Sequence, residues 1–307
     1  MTQTLESMRR RIESAEDLYA VVRMMKALAA ASIRQYERAV ESLAEYDRTI
    51  EAGLQIILSN RPEAIAGESS PGQRWGFIIF GSDQGMCGSF NEQVATFALE
   101  QINALAEKEE DRTVLVVGAR LVGRLEDAGC AVSERFPLPS TVSGITSEIY
   151  DVLLKVEELR FQKGIDRFLL VHHKPSAPAG SWPSKLQLLP IDPTWLGSLA
   201  ARSWASRSLP TFTMDWHRLC SALIRQYRFI ALYRAFAESL ASENASRLAS
   251  MQAAEKNIES HLSRLTADYH RERQQSITEE LLDIVAGFET LTKEESRTAG
   301  HSGGHYD

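Results

Sequence analysis

The chain has 307 residues, with 34 Lys and Arg against 41 Asp and Glu, a net charge of −7 with histidine neutral. An acidic balance repels phosphate and argues against non-specific nucleic-acid binding. No apolar run reaches the roughly 20 residues that span a bilayer, Met1 leads straight into amphipathic sequence without a signal or transit segment, and three widely spaced cysteines, Cys87, Cys130 and Cys220, read as reduced thiols of a cytosolic protein.

The first element is a long helix. A strict heptad from Leu5 runs through Met8, Ile12, Ala15, Tyr19, Val22, Lys26, Ala29, Ile33, Tyr36, Val40, Leu43, Asp47, Ile50 and Leu54 to Ile57, and only Lys26 and Asp47 in it are polar. Such a seam asks for a partner helix. Arg9, Arg10 and Arg11 sit among Glu6, Glu13 and Glu16, a solvated face with i,i+4 pairs rather than a phosphate site. Met24, Met25, Ala27, Leu28, Ala30 and Ala31 form an apolar collar around the seam where a plain coiled coil would carry charge. Asn60, Pro62 and the run from Gly67 to Gly72 end the helix and open a linker.

A middle domain of α/β type follows, over 74–210. Trp75–Phe80 reads as a buried strand, 91–107 as a helix, Thr113–Val117 as a second strand, and Leu121–Asp127 as a short helix. After Pro137 and Pro139 come a helix over 146–163, a strand at Phe168–His172 and another run at Leu186–Ile191. Strand–helix alternation predicts a parallel or mixed sheet covered by helices, Rossmann-like in plan. The stretches Pro175–Pro193 and Pro193–Pro210 read as irregular surface segments.

Between Pro210 and Gly287 there is neither proline nor glycine, so 211–291 reads as a second long helix, about 110 Å of it uninterrupted. Leu248, Met251, Ile258, Leu262, Leu265 and Tyr269 form one seam, and after a shift resembling a stutter Ile277, Leu281, Ile284, Phe288 and Leu291 form another, turned to a new direction. The two terminal helices are expected to pair antiparallel. The polar tail 292–307, with Gly300, Gly303 and Gly304, reads as disordered.

Chemistry is scarce. Gly81-Ser82-Asp83-Gln84-Gly85-Met86-Cys87-Gly88-Ser89 lies between a strand and a helix, where a phosphate loop would be, but it is neither Gly-x-Gly-x-x-Gly nor does it end in Gly-Lys-Ser/Thr. Cys87 at that helix entrance has no histidine near it in sequence and reads as a structural thiol, and Asp83 as a turn cap. His172 and His173 end a strand, while His301 and His305 stand among glycines without a carboxylate or cysteine to complete a metal set. No cofactor and no metal are expected.

Four stretches together resemble the gamma subunit family of F-type ATP synthases. Leu232 to Arg247 is similar to the family's Glu-Ser-x-Ala-Ser-Glu-x-x-x-Arg block, and Arg273 to Glu280 with Ile284-Val285-Ala286-Gly287 to its Arg-Gln-x-x-Ile-Thr and Glu-Ile-Val-x-Gly ending. The loop Gly81–Asn91 resembles Thr-Ser-Asp-Arg-Gly-Leu-Cys-Gly-Gly-Phe-Asn, and Met24–Ala31 the N-terminal Ala-Met-x-Met-Val-Ala-Ala pattern. Gly81 stands for threonine, Gln84 for arginine and Ser89 for glycine, departures that suit a divergent branch such as the sodium-type ATPases.

The resemblance implies a non-catalytic rotor shaft, one copy per complex, inside a ring of alpha and beta subunits, with the middle domain against an epsilon subunit and a membrane rotor ring, peripheral on the cytoplasmic face of a bacterial inner membrane. It implies that Arg273, Gln274 and Thr278 meet a catalytic-subunit loop, that Met25, Lys26 and Cys87 face the catalytic subunits' lever region, and that Ile284, Val285 and Phe288 serve as a bearing. Two other readings remain open at the level of sequence: a small-molecule α/β enzyme with helical arms, and a coiled-coil signalling or scaffold protein.

Overall fold

A computed structural model describes the backbone of residues 2–60, 74–106, 108–176, 180–204, 208 and 211–299, and the side chains of these except 2–4, 60 and 290–299. The elements are α1 (Thr2–Asn60), β1 (Trp75–Phe80), α2 (Phe90–Leu105), β2 (Arg112–Val117), α3 (Ala119–Asp127), β3 (Glu134–Phe136), α4 (Ile145–Lys163), β4 (Arg167–Ser176), β5 (Gly180–Leu189), α5 (Pro193–Ala200) and α6 (Trp216–Ala299). They pack as two compact bodies, Met25–Met251 and Met1–Met24 with Gln252–Asp307. That division falls inside both long helices rather than at the linker, because parts of α1 and α6 belong to the core of the α/β body.

In the body Met25–Met251 the sheet has the order β3-β2-β1-β4-β5, with β1 to β4 parallel and β5 antiparallel to β4. The period of two divides each strand between two cores. Ile78, Phe80, Leu115, Val117, Phe168 and Leu170 face α4 (Ile149, Val152, Val156), α6 (Leu232, Ala235, Phe236, Leu240) and Tyr36 of α1. Phe77, Ile79, Val114, Val116, Leu169 and Val171 face α2 (Val94, Ala98, Ile102) and α3 (Leu121, Leu125). With both faces covered, every strand position must be apolar, which is why β1 is an unbroken buried run. The α1 and α6 segments run antiparallel: Asp47 pairs with Arg234, whereas Gly53, further along α1, lies against Leu223, earlier in α6.

Three expectations are corrected in this body. Pro175–Pro193 is no loop at its ends, because β4 extends to Ser176 and β5 begins at Gly180, pairing Pro175 with Ser181 and His173 with Pro183. Beyond Val171 β4 has left β1 behind, and β5 is an edge strand, so each proline sits in a strand with a free side that needs no donor. The segment after Pro193 contains α5, started by Asp192, whose carboxylate accepts from the Thr194 N–H at 2.9 Å, with proline at the first helical position. The three-residue β3 is too short to leave a pattern in the sequence.

In the second body, Ala15, Val22 and Leu265 are buried, and Tyr19 with Leu262, Ser263, Thr266 and His270 lines a shallow groove. Across the whole of α1 no heptad position from Leu5 to Ile57 is exposed; all are buried or half-buried, Lys26 and Asp47 included.

On α6 the first seam behaves as expected, with Met251 and Leu265 buried and Leu248, Ile258, Leu262 and Tyr269 half-buried. The second stands exposed. The partly buried face carries on in the old heptad phase through Glu272, Ser276 and Glu279, while Ile277, Leu281, Leu282, Ile284, Val285 and Phe288 are exposed. Nor does α6 stop at Leu291: it runs to Ala299, because no glycine or proline follows until Gly300 and 292–299 contains good helix formers. Residues 300–307 of the expected tail, and the linker from 61 to 73, lie outside the described residues.

Candidate functional site

The glycine-rich stretch Gly81–Ser89 leaves the carboxyl end of β1 and is held by its own side chains and by α6. Ser82 is its internal hub: its N–H donates to Asn91 Oδ1 (3.0 Å), its Oγ accepts from Asn91 Nδ2 (2.7 Å), and that hydroxyl donates to the Gln84 carbonyl (2.9 Å). Asp83, expected to cap its own turn, instead reaches two other loops. Its two oxygens accept from Ala119 N–H at 2.7 Å and Leu138 N–H at 2.8 Å, joining the loops that follow β1, β2 and β3. Gly118, at φ +105°, brings its Cα so close that a Cβ there would lie 2.8 Å from the Gly81 carbonyl carbon, so only glycine fits.

From α6, Ser246 Oγ donates to the Cys87 carbonyl at 2.6 Å, and Arg247 reaches the carbonyls of Gln84 and Gly85 at 3.4 and 3.5 Å while pairing with Glu243 at 2.6 Å. Both partners of that ion pair are buried. Burial pushes the Glu243 carboxyl up, with Asp83 adding to the shift and Arg247 opposing it. Tyr36 of α1, on the same face, is raised first by burial and then by the charge of Glu243. Beside the joint, His172 Nε2 lies 2.9 Å from Glu238 Oε2 of α6. His173 stacks on Phe90 at 4.1 Å and is held neutral, its pKa lowered to about 4 by burial and by His172.

Cys87 belongs to this interior: its thiol is 3 % exposed and sits 3.6 Å from both Ser82 Oγ and Asn91 Nδ2. It is therefore no outward contact surface, which corrects the expectation that it faces a partner; the residue the loop presents is Met86, 59 % exposed and at φ +61°. Met25 and Lys26 are half-buried on α1, and Arg273, Gln274 and Thr278 are exposed on α6, where Thr278 Oγ donates to the Gln274 carbonyl at 2.9 Å. The structure thus leaves the expected site residues as separate surface positions on two helices. What it assembles is a set that sequence reading met only as part of a family-like block and gave no role, Glu243, Ser246 and Arg247. An i,i+4 Glu–Arg pair inside an apolar helical stretch was the signal. Among the described residues no three His, Cys, Asp or Glu come together as a metal set, and no helix is long and apolar enough to cross a membrane.

Two long antiparallel helices carrying an inserted doubly wound domain, with the loop after its first strand seated on one of them, define the structural class. The family profile of ATP synthase matches residues 4–291. Gamma chains of ATP synthase from Sinorhizobium fredii and Cyanothece sp. are 27 % and 28 % identical, each over 94 % of this chain and 99 % of theirs. Among solved structures, a chain of the Euglena gracilis mitochondrial ATP synthase (OSCP/F1/c-ring, rotational state 3) superposes with a TM-score of 0.65 at 17 % identity, over 100 % of this chain and 99 % of that one, and shares the fold. The chain belongs to the ATP synthase gamma family. It is a non-catalytic subunit, which sets aside the readings as an α/β enzyme and as a signalling coiled coil.

Proposed function

We propose that the chain works as the central shaft of a rotary ATP synthase, its long helices α1 and α6 standing within a ring of alpha and beta subunits. The α/β part, 74–210, rests against an epsilon subunit and a membrane rotor ring, one copy per complex, on the cytoplasmic face of a bacterial inner membrane. The observation that carries this reading is the second apolar seam of α6, Ile277 to Phe288, whose large side chains stand exposed. Large apolar side chains standing exposed on a helix suit a greasy sleeve, and Ile284, Val285 and Phe288 are its bearing contacts. An asymmetric shaft presents a different face to each catalytic subunit, and each face favours one conformation, so rotation shifts the populations of nucleotide-binding states. The chain supplies no cofactor and binds no nucleotide.

Arg273 and Gln274 lie about one turn before Ile277, Thr278 directly follows it, and all three are exposed. We assign to Arg273 and Gln274 the capture of a catalytic-subunit loop at one rotary angle, with Thr278 alongside. Hydrogen bonds to charged groups are worth roughly 1.5–3 kcal/mol each, enough to bias one subunit among three. Met25 of the collar and Lys26 of the seam take the contact expected at the lever region. In the assembled complex, Arg273→Ala with Gln274→Ala is expected to lower steady-state ATP hydrolysis several-fold while assembly stays intact. Wild-type hydrolysis and synthesis in that double variant would remove both residues from the mechanism. Purification of the native complex, with alpha, beta and epsilon subunits recovered in fixed ratio to the chain, tests the assembly itself.

A further inference from the structure

The sheet changes direction at one place. Strands run outward from β1 to β2 and β3 with α2 and α3 on one face, and the chain then crosses by α4 on the other face to β4, on β1's opposite side. In open α/β sheets a ligand binds outside the carboxyl ends of the strands at such a switch point, with its phosphate on the first helix N-terminus. In this chain the position is taken by the chain itself. Asn91 and Ser82 close the entrance of α2, and Ser246 and Arg247 lie on the carbonyls of Cys87, Gln84 and Gly85.

We propose that Arg247, seconded by Ser246, is a positioning residue that locks the β1–α2 loop onto α6, so that turning force on the α/β body enters the shaft helix through this joint. The proposal rests on the rotor reading above. Three features carry it. The planar guanidinium fork places Nη2 at 2.6 Å from Glu243 and at 3.4 and 3.5 Å from the carbonyls of Gln84 and Gly85, while Nη1 reaches Asn244 Oδ1 at 3.3 Å, so a rigid group anchored twice on α6 meets the loop, which a lysine's freely rotating ammonium does not do with the same geometry. The pair is buried, so water does not compete with it. Gly88 is in the left-handed region at φ +58°, and a Cβ there would stand 2.9 Å from Ser250 Oγ, so the loop backbone is pressed against α6 as closely as its chemistry allows. Apart from this joint, α6 meets the sheet through apolar side chains such as Leu232, Phe236 and Leu240, and through Glu238. Apolar packing resists separation but is non-directional, whereas the Arg247 fork fixes angle.

The test uses two measurements. Hydrogen exchange on the full chain reads the loop: in Arg247→Gln and in Ser246→Ala the amides of 82–91 are expected to exchange at least ten-fold faster, with β2 unchanged, and Arg247→Lys to fall between. In vesicles holding the whole complex, ATP-driven uptake of protons or sodium ions per ATP hydrolysed is expected to drop by more than half in Arg247→Gln while hydrolysis continues. Should Arg247→Gln unfold the chain, Ser246→Ala and Gly88→Ala, which leave the ion pair in place, carry both measurements. Unchanged exchange in 82–91 shows that the arginine does not hold the loop and overturns the proposal, as does faster exchange with a wild-type ratio of ions to ATP. A wild-type complex that moves no ions on ATP hydrolysis overturns the rotor reading instead, and the exchange measurement still decides the joint.

Discussion

Two stretches of α6 each carry large apolar side chains and use them in opposite ways. From Ile230 to Ala241 its apolar side chains are buried against the sheet and α1, and Phe236 meets Phe80 edge to face at 4.9 Å. From Ile277 to Phe288 comparable side chains stand exposed, Ile284 at 68 % and Phe288 at 70 %. The difference comes from phase. Between Tyr269 and Ile277 the apolar repeat shifts while the helix stays continuous, so the intrachain face keeps its heptad through Glu272, Ser276 and Glu279 and the apolar residues rotate off it. The first half is hydrophobic for the stability of the chain, whereas the apolar side chains of the second stand exposed.

Breaking the buried half gives the largest expected effect. Phe236→Ala should cost about 3–5 kcal/mol in the stability of the full chain, read as a lower denaturant midpoint. A smaller effect comes from β4 of the same body, through pH. His173 stays neutral in the folded chain down to about pH 4, whereas an unfolded histidine takes its proton near 6.5. Between those values the unfolded state binds the extra proton, so stability falls as pH drops from about 6.5 to 4, by roughly 3 kcal/mol in all, and is flat below. In His173→Phe that part of the acid limb should be missing; a limb equally steep in the variant would place the proton uptake elsewhere.

Removing the cap in Asp192→Ala should cost about 1 kcal/mol, because the Thr194 N–H loses its acceptor at a helix start on the surface. The smallest change in stability belongs to the exposed half: Ile284→Ser should alter the unfolding of the full chain by less than about 0.5 kcal/mol. If that substitution destabilises the isolated chain as strongly as a core replacement, the contrast between the halves is wrong.

Much of this was legible in the chain. The heptad counted from Leu5 predicted the inward face of α1 at each of its positions, because a helical period is a local property that one partner helix suffices to read. Strand β1 was legible to the residue, since a strand covered on both faces must be apolar throughout. The hairpin β4–β5 was hidden by Pro175 and Pro183, whose tolerance depends on which strands have a free side, a fact of sheet order and not of sequence. The site was legible only as separate motifs. The loop Gly81–Ser89 and the Glu243–Arg247 block each stood out, but nothing local joins them: Arg247 and Gln84 are 163 residues apart.

By itself, then, the sequence determined two long helices, their seams and the alternation of strand and helix between them, because periodicity and the placing of glycine and proline act over a few residues. The tertiary structure alone decided that Cys87 points inward and Met86 outward, that Asp83 ties three loops together, and that Arg247 fills the crevice where a related sheet would take a ligand. Each of these turns on what a distant segment places opposite a side chain, and burial and hydrogen bonding are set by that neighbour rather than by the residue's own position in the chain.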